Sequence, residues 1–210
     1  MTESRYYKRF KRAEKRTETI GQNRLNYPFA MFVSLMPYMT QETISRLVLI
    51  PPPKTFHKKP IDDTLQLVTF GTLVKLQKAP TNDYLQTCCK LVEILTDTPA
   101  DIVASSQAYA VLGVVNMISS EMERIGKLFQ SIKADLSADE ISAGADRLEF
   151  GTFGLVDWYA KRMGITDHEE VFATPWARIY QCMKIDHENN EFEKRYRKII
   201  ENKQKVRSKR

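Results

Sequence analysis

The side chains able to do acid–base, nucleophilic or metal chemistry are few in this chain and poorly spaced for it. His57 stands beside Lys58 and Lys59 in a proline-rich stretch, His168 lies within Thr166-Asp-His-Glu169, and His187 precedes Glu188. A zinc site on a helix needs two imidazoles on one face, and neither His-x-x-x-His nor His-Glu-x-x-His occurs. Asp186 and Asn190, four residues apart, could share a hard cation, but a solvated helix face explains the same spacing. Cys88 or Cys89 as a nucleophile would need a base, and both fall in an apolar helical periodicity that predicts burial. Gly-x-Gly-x-x-Gly, Gly-Lys-Ser/Thr and Gly-x-Ser-x-Gly are absent, so no phosphate cradle or nucleophile elbow is framed. The expectation is a chain that is not an enzyme, with no catalytic residues, no metal and no cofactor.

Binding chemistry is better represented. Residues 1–16 hold seven Lys/Arg against Glu3 and Glu14, a net of +5, and residues 194–210 hold nine against Glu201, a net of +8. The whole chain is +6, which leaves −7 for the body between two basic ends. In the first of these ends Tyr6, Tyr7 and Phe10 interleave with Arg5, Lys8, Arg9, Lys11 and Arg12. Aromatic rings can stack on bases or dock in a partner's groove, and each cation set on a phosphate releases a counterion. Lys203, Lys205 and Arg207 are the matching polyanion candidates at the other end, where a solvated terminus is the competing reading. Trp158, Tyr159, Trp176 and Tyr180 are the natural partner anchors. Their competing role is to staple the last two helices to each other.

The elements that must carry these groups are helices. Thr40 precedes Ile44, Leu47 and Val48 as a capping residue, and Pro51-Pro52-Pro53 then excludes helix, which makes residues 51–61 an extended linker or arm. Leu85, Cys88, Cys89, Val92 and Leu95 repeat at helical spacing behind Thr81 or Asn82. Thr98-Pro99 and Thr174-Pro175 each read as a helix start, the first leading to a long apolar-periodic stretch up to about Lys133, the second to a long final helix. Ser137-Ala-Asp-Glu140 and Thr166-Asp-His-Glu169 read as capping boxes. Leu65-Gln-Leu-Val-Thr69 is the one tempting strand, and it is short. Phe-Gly-Thr occurs at Phe70 and again at Phe150, read as a turn glycine feeding a threonine cap; chance reuse and a duplicated helical unit both explain it. The fold class is therefore all-α, a multi-helix bundle with an extended basic N-terminal arm and a long C-terminal helix. Its parts are a basic aromatic arm (1–26), apolar helices with a proline-rich linker (27–61), a helical core (62–193) and a basic tail (194–210). No apolar run reaches the ~18 residues a bilayer span needs, Met1–Arg16 lacks the apolar core of a secretory signal, and three cysteines without Cys-x-x-Cys suit a reducing compartment.

Two stretches between about Ile61 and Arg197 carry a resemblance. One is Leu67-Val-Thr-Phe-Gly-Thr-Leu-Val-Lys-Leu76 with the helix ending Lys90-Leu-Val-Glu-Ile-Leu95. The other is Phe150-Gly-Thr-Phe-Gly-Leu-Val-Asp-Trp-Tyr-Ala-Lys-Arg-Met-Gly-Ile-Thr166, then Glu169-Glu-Val-Phe172 and Thr174-Pro-Trp176. Together they resemble tail-assembly-chaperone-like and related virion structural proteins of tailed bacteriophages, including the crAss-like phages. The resemblance implies a structural or assembly role in the tail, neck or portal region of a virion. Its partners would be other virion proteins and copies of the chain itself, and it would occupy the host cytoplasm during assembly. Packaging with DNA through the basic ends is the alternative. The first sixty residues lie outside the resemblance and read as a segment that threads between subunits, which should bury little surface on its own chain.

Overall fold

A computed structural model describes residues 27–79, 81–132, 138–144, 147 and 150–207. The arm at 1–26 and Ser137 lie outside the described residues. The fold is all-α, as expected, and ends in one long helix. In chain order the helices are α1 (Phe29–Leu35), a 3-10 turn (Met36–Tyr38), α2 (Gln41–Leu47), α3 (Phe70–Lys78), α4 (Tyr84–Thr96) and α5 (Ala100–Ser105). They continue with α6 (Ala108–Ser131), α7 (Ala138–Ser142), α8 (Gly151–Met163), α9 (His168–Ala173) and α10 (Trp176–Arg207). A small hairpin pairs β1 (Thr55–Phe56) with β2 (Lys59–Pro60). Among the described residues two compact units form, one within 27–65 and 72–123, the other within 66–71 and 124–207.

The helix starts obey local chemistry, with adjustments. Thr40 caps α2 as expected, its hydroxyl accepting from the Thr43 N–H. At α4 the cap is Asp83, which accepts from the Gln86 N–H, and not Thr81 or Asn82. The Thr81 hydroxyl instead donates to the Asp83 carbonyl in the preceding turn. At α9 the cap is Asp167, accepting from the Glu169 N–H at 2.9 Å, one residue beyond the expected Thr166. A carboxylate directly before the helix takes the orphan N–H groups that a more distant hydroxyl would otherwise serve. Neither Thr98 nor Thr174 caps the helix that follows it. Thr98 is buried and accepts from the Thr96 hydroxyl, while the Thr174 hydroxyl donates to the Glu170 carbonyl.

The reading of residues 27–60 as a threading segment is corrected by the packing. Phe29, Phe32, Leu35, Leu47, Ile50 and Phe56 are all buried within the first unit. The proline run does exclude helix, but it is seated on α6. Asn116 donates from Nδ2 to the carbonyls of Leu47 (2.7 Å) and Ile50 (3.3 Å), and Gly113 lies against Pro51 and Pro52. Behind the prolines the chain turns at His57 and Lys58, both at positive φ, as a two-residue hairpin turn requires. His57 Nε2 lies 2.7 Å from the Ser106 hydroxyl. The prolines have no N–H to offer the carbonyls at the end of α2, so the side-chain amide of Asn116 on α6 pairs those of Leu47 and Ile50.

A structural repeat organises both units, and it is not the Phe-Gly-Thr echo. In the first unit the Phe29 N–H donates to the Ser106 carbonyl (2.9 Å) and the Ala108 N–H to the Tyr27 carbonyl (2.9 Å). In the second, Phe70 donates to Thr174 (2.8 Å) and Trp176 to Val68 (3.3 Å). Each pair clips the first residue of a short helix, Phe29 of α1 or Phe70 of α3, to the break between a six-residue helix and a long one. The helix before that break has 13 residues in both units and ends on a left-handed residue, Asp97 or Gly164. Burial follows the same correspondence: Val92 with Tyr159, Val103 with Val171 and Val111 with Ile179. In this alignment Gly71 corresponds to Ala30, whereas Gly151 corresponds to Tyr84. Gly71 and Thr72 sit inside α3 rather than forming a turn and cap. An added Cβ at Gly71 would stand 3.0 Å from the Phe172 carbonyl oxygen, which would have to give by a few tenths of an ångström.

Candidate interaction surface

Sequence explains the length of α10 directly, since neither glycine nor proline follows Pro175 up to Arg207. Residues 194–207 of the expected basic tail continue this helix. Its first turns belong to the second unit's core. Trp176 and Ile179 are buried, and the rings of Trp176 and Tyr180 meet Phe129 with centroids 6.2 and 5.5 Å apart. On α8, Tyr159 is buried and Trp158 is half-buried beneath the Arg162 guanidinium, 5.9 Å from its ring centroid. Arg162 also donates to Asp186 on α10 at 2.5 Å.

These contacts sort the expected anchors. Tyr159 and Trp176 are core side chains of the second unit, so a partner could not reach them without opening that core. Trp158 and Tyr180 are only partly buried. Trp176 and Tyr180 hold α10 to the end of α6. Lys203 and Lys205 are exposed on the last turns of α10, and Arg207 is its final residue. Tyr6, Tyr7, Phe10, Arg5, Lys8, Arg9, Lys11 and Arg12 lie outside the described residues.

The surface that sequence reasoning missed lies further along α10. Ile185, Phe192, Tyr196, Ile199 and Val206 are each more than half exposed. Four of them, 185, 192, 199 and 206, recur every seven residues, and Phe192 and Tyr196 stack at 6.1 Å. They therefore form one stripe along the helix. The spacing was legible in the sequence, but apolar periodicity says that a face is apolar and not that anything covers it.

The groups that could do chemistry are placed as follows. Among the described residues, no three of His, Cys, Asp and Glu converge to hold a metal ion. Asp186 is engaged by Arg162, and His168 packs edge-on against Phe153 at 5.4 Å. Cys88 and Cys89 are buried on α4, as the periodicity predicted. Burial pushes the Cys88 thiol up to about 11 from its ordinary 9.0, and the Cys89 thiol is also raised, by burial first. Both are therefore thiols, not thiolates, at neutral pH. Half-buried Cys182 is expected to be alkylated first by a small maleimide under native conditions, with Cys88 and Cys89 reacting only after unfolding, as read by intact-mass spectrometry. The raised thiol also sets a sign. Below pH 9 both states hold the proton and stability is unaffected; above it the unfolded chain ionises first, so Cys88 lowers stability as pH rises from 9 towards 11.

Among the described residues no helix is long and apolar enough to cross a membrane. No protein-family model matches the chain, and no curated protein or solved structure matches it.

Proposed function

We propose that the chain is a non-enzymatic structural or assembly protein of a tailed-phage virion, in the tail, neck or portal region, that works by presenting helix surfaces to its neighbours. The observation that carries the reading is the exposed apolar stripe of α10, on a helix that outruns its own core. Apolar side chains aligned on one exposed face are characteristic of a docking surface. The phage assignment is supported by the resemblance of residues 61–197, and the non-enzymatic one by the burial of the two adjacent thiols. The arm at 1–26, with Tyr6, Tyr7 and Phe10, supplies a second contact. Residues 47–52 are seated on α6 of their own chain. Mass spectrometry of purified particles and of assembly intermediates tests the reading. Peptides of this chain at a fixed ratio to tail or portal proteins are the expected result, and their absence from both samples overturns it.

A second reading, contact with packaged DNA, is favoured by the cations of α10 and of the arm. Binding should then weaken steeply with salt, with a log–log slope of about −0.9 per phosphate contact. Removing residues 1–16 and 203–210 should flatten that slope. Absence of binding at low salt would remove this reading and leave the first untouched.

A further inference from the structure

We infer that α10 pairs with α10 of a second copy of this chain, antiparallel, along the stripe Ile185–Phe192–Ile199–Val206. This rests on the assembly reading above and adds the identity of one partner.

The first observation is the spacing. A straight α-helix drifts by about 20° per heptad from a seven-residue repeat, so a stripe kept on a strict repeat suits two helices that wind around each other. Ile185 to Val206 spans about 33 Å at 1.5 Å per residue, and every large apolar residue exposed on α10 lies on this seam. Tyr196 falls four residues after Phe192 and three before Ile199, the alternation of a coiled-coil seam. Asn189 and Lys203 occupy the remaining alternate positions. Polar residues there are tolerated in short coiled coils and restrict their register.

The second observation is charge, and it selects both partner and direction. Residues 185–193 hold Asp186, Glu188, Glu191 and Glu193 with no Lys or Arg, a net of −4. Residues 194–207 hold seven Lys/Arg against Glu201, a net of +6. A helix acidic in one half and basic in the other matches a second copy only when the copy is reversed; parallel pairing would set like charge on like. The result is self-complementary, as a two-fold interface must be. Glu191 already pairs with Lys194 (3.1 Å), Glu188 with Lys184 (3.7 Å) and Asp186 with Arg162, so the halves act mainly through their summed fields.

The third observation comes from the repeat. Aligning Ala108 with Trp176 sets Met117 of α6 opposite Ile185 of α10. In the first unit residues 47–52 cover that side of α6, and Met117 is 6% exposed. Among the described residues the second unit has no counterpart of that cover, and Ile185 is 51% exposed. A second copy of α10 supplies what the second unit lacks.

Sedimentation equilibrium of the full chain across micromolar concentrations should show a monomer–dimer equilibrium. Phe192→Asp combined with Ile199→Asp should raise the dimer dissociation constant by more than ~100-fold. Both side chains are more than half exposed, so the thermal unfolding of the monomer should be unchanged. Direction is read by disulfide trapping in a Cys182→Ser background, with Ile185→Cys and Val206→Cys made in separate chains. Antiparallel pairing cross-links the mixture and neither variant alone. A chain that stays monomeric, a dimer indifferent to the double aspartate, cross-linking of each variant with itself, or association only on adding DNA would each overturn the proposal. Particle mass spectrometry is independent of all these outcomes, so the assembly reading can survive a failed dimer.

Discussion

Phe29→Ala is expected to destabilise the chain by about 3–5 kcal/mol in urea unfolding followed by circular dichroism. Phe29 is fully buried, begins α1, and its N–H is clipped to the Ser106 carbonyl at 2.9 Å. Removing the ring leaves a cavity between α1 and the α5–α6 break that the backbone clip prevents from closing. The corresponding change in the second unit, Phe70→Ala, removes a buried ring stacked 6.0 Å from Phe172 at the same clip. Its loss should be of similar size if the two clips are equivalent. A cost below about 1 kcal/mol at either position would show that the clip does not organise its unit.

Gly113→Ala is the second large effect, from a single methyl group. A Cβ at Gly113 would overlap the Pro51 carbonyl oxygen and stand 3.0 Å from the Pro51 carbonyl carbon and 3.2 Å from the Pro52 Cα. All three are backbone atoms and cannot swing aside as a flexible side chain would. The proline segment must lift from α6, loosening the Asn116 hydrogen bonds to Leu47 and Ile50. A loss of about 1–3 kcal/mol is expected, with faster proteolysis within residues 51–61. Gly126→Ala on the same helix is the control. An added Cβ there meets nothing within 4 Å, so the gain in helix propensity should stabilise by up to ~1 kcal/mol. If both substitutions behaved alike, the seating of the proline segment would be disproved.

Helix content, the start of α2 at Thr40, the burial of Cys88 and Cys89 and the run of α10 from Trp176 were all legible in the residues. Each depends on neighbours within a few positions along the chain. Caps were misplaced by one or two residues because several hydroxyls and carboxylates precede α4 and α9, and only the backbone conformation at Asp83 and Asp167 selects among them. The repeat does not follow the identical tripeptide; it resides in hydrogen bonds between segments far apart in sequence, Tyr27–Phe29 with Ser106–Ala108 and Val68–Phe70 with Thr174–Trp176.

The clearest contrast is between the proline segment and α10. Three successive prolines determine by themselves that residues 51–53 are not helical, because proline has no N–H to give and its ring restricts the backbone. Whether such a segment reaches outward or lies down is decided elsewhere. Gly113 makes room for it and Asn116 supplies its missing donors, and both reside on a helix more than fifty residues away. At the other end, residue spacing alone determines that α10 carries an apolar stripe. Only the tertiary structure leaves that stripe exposed, because side-chain periodicity is a property of one helix and burial a property of what packs against it.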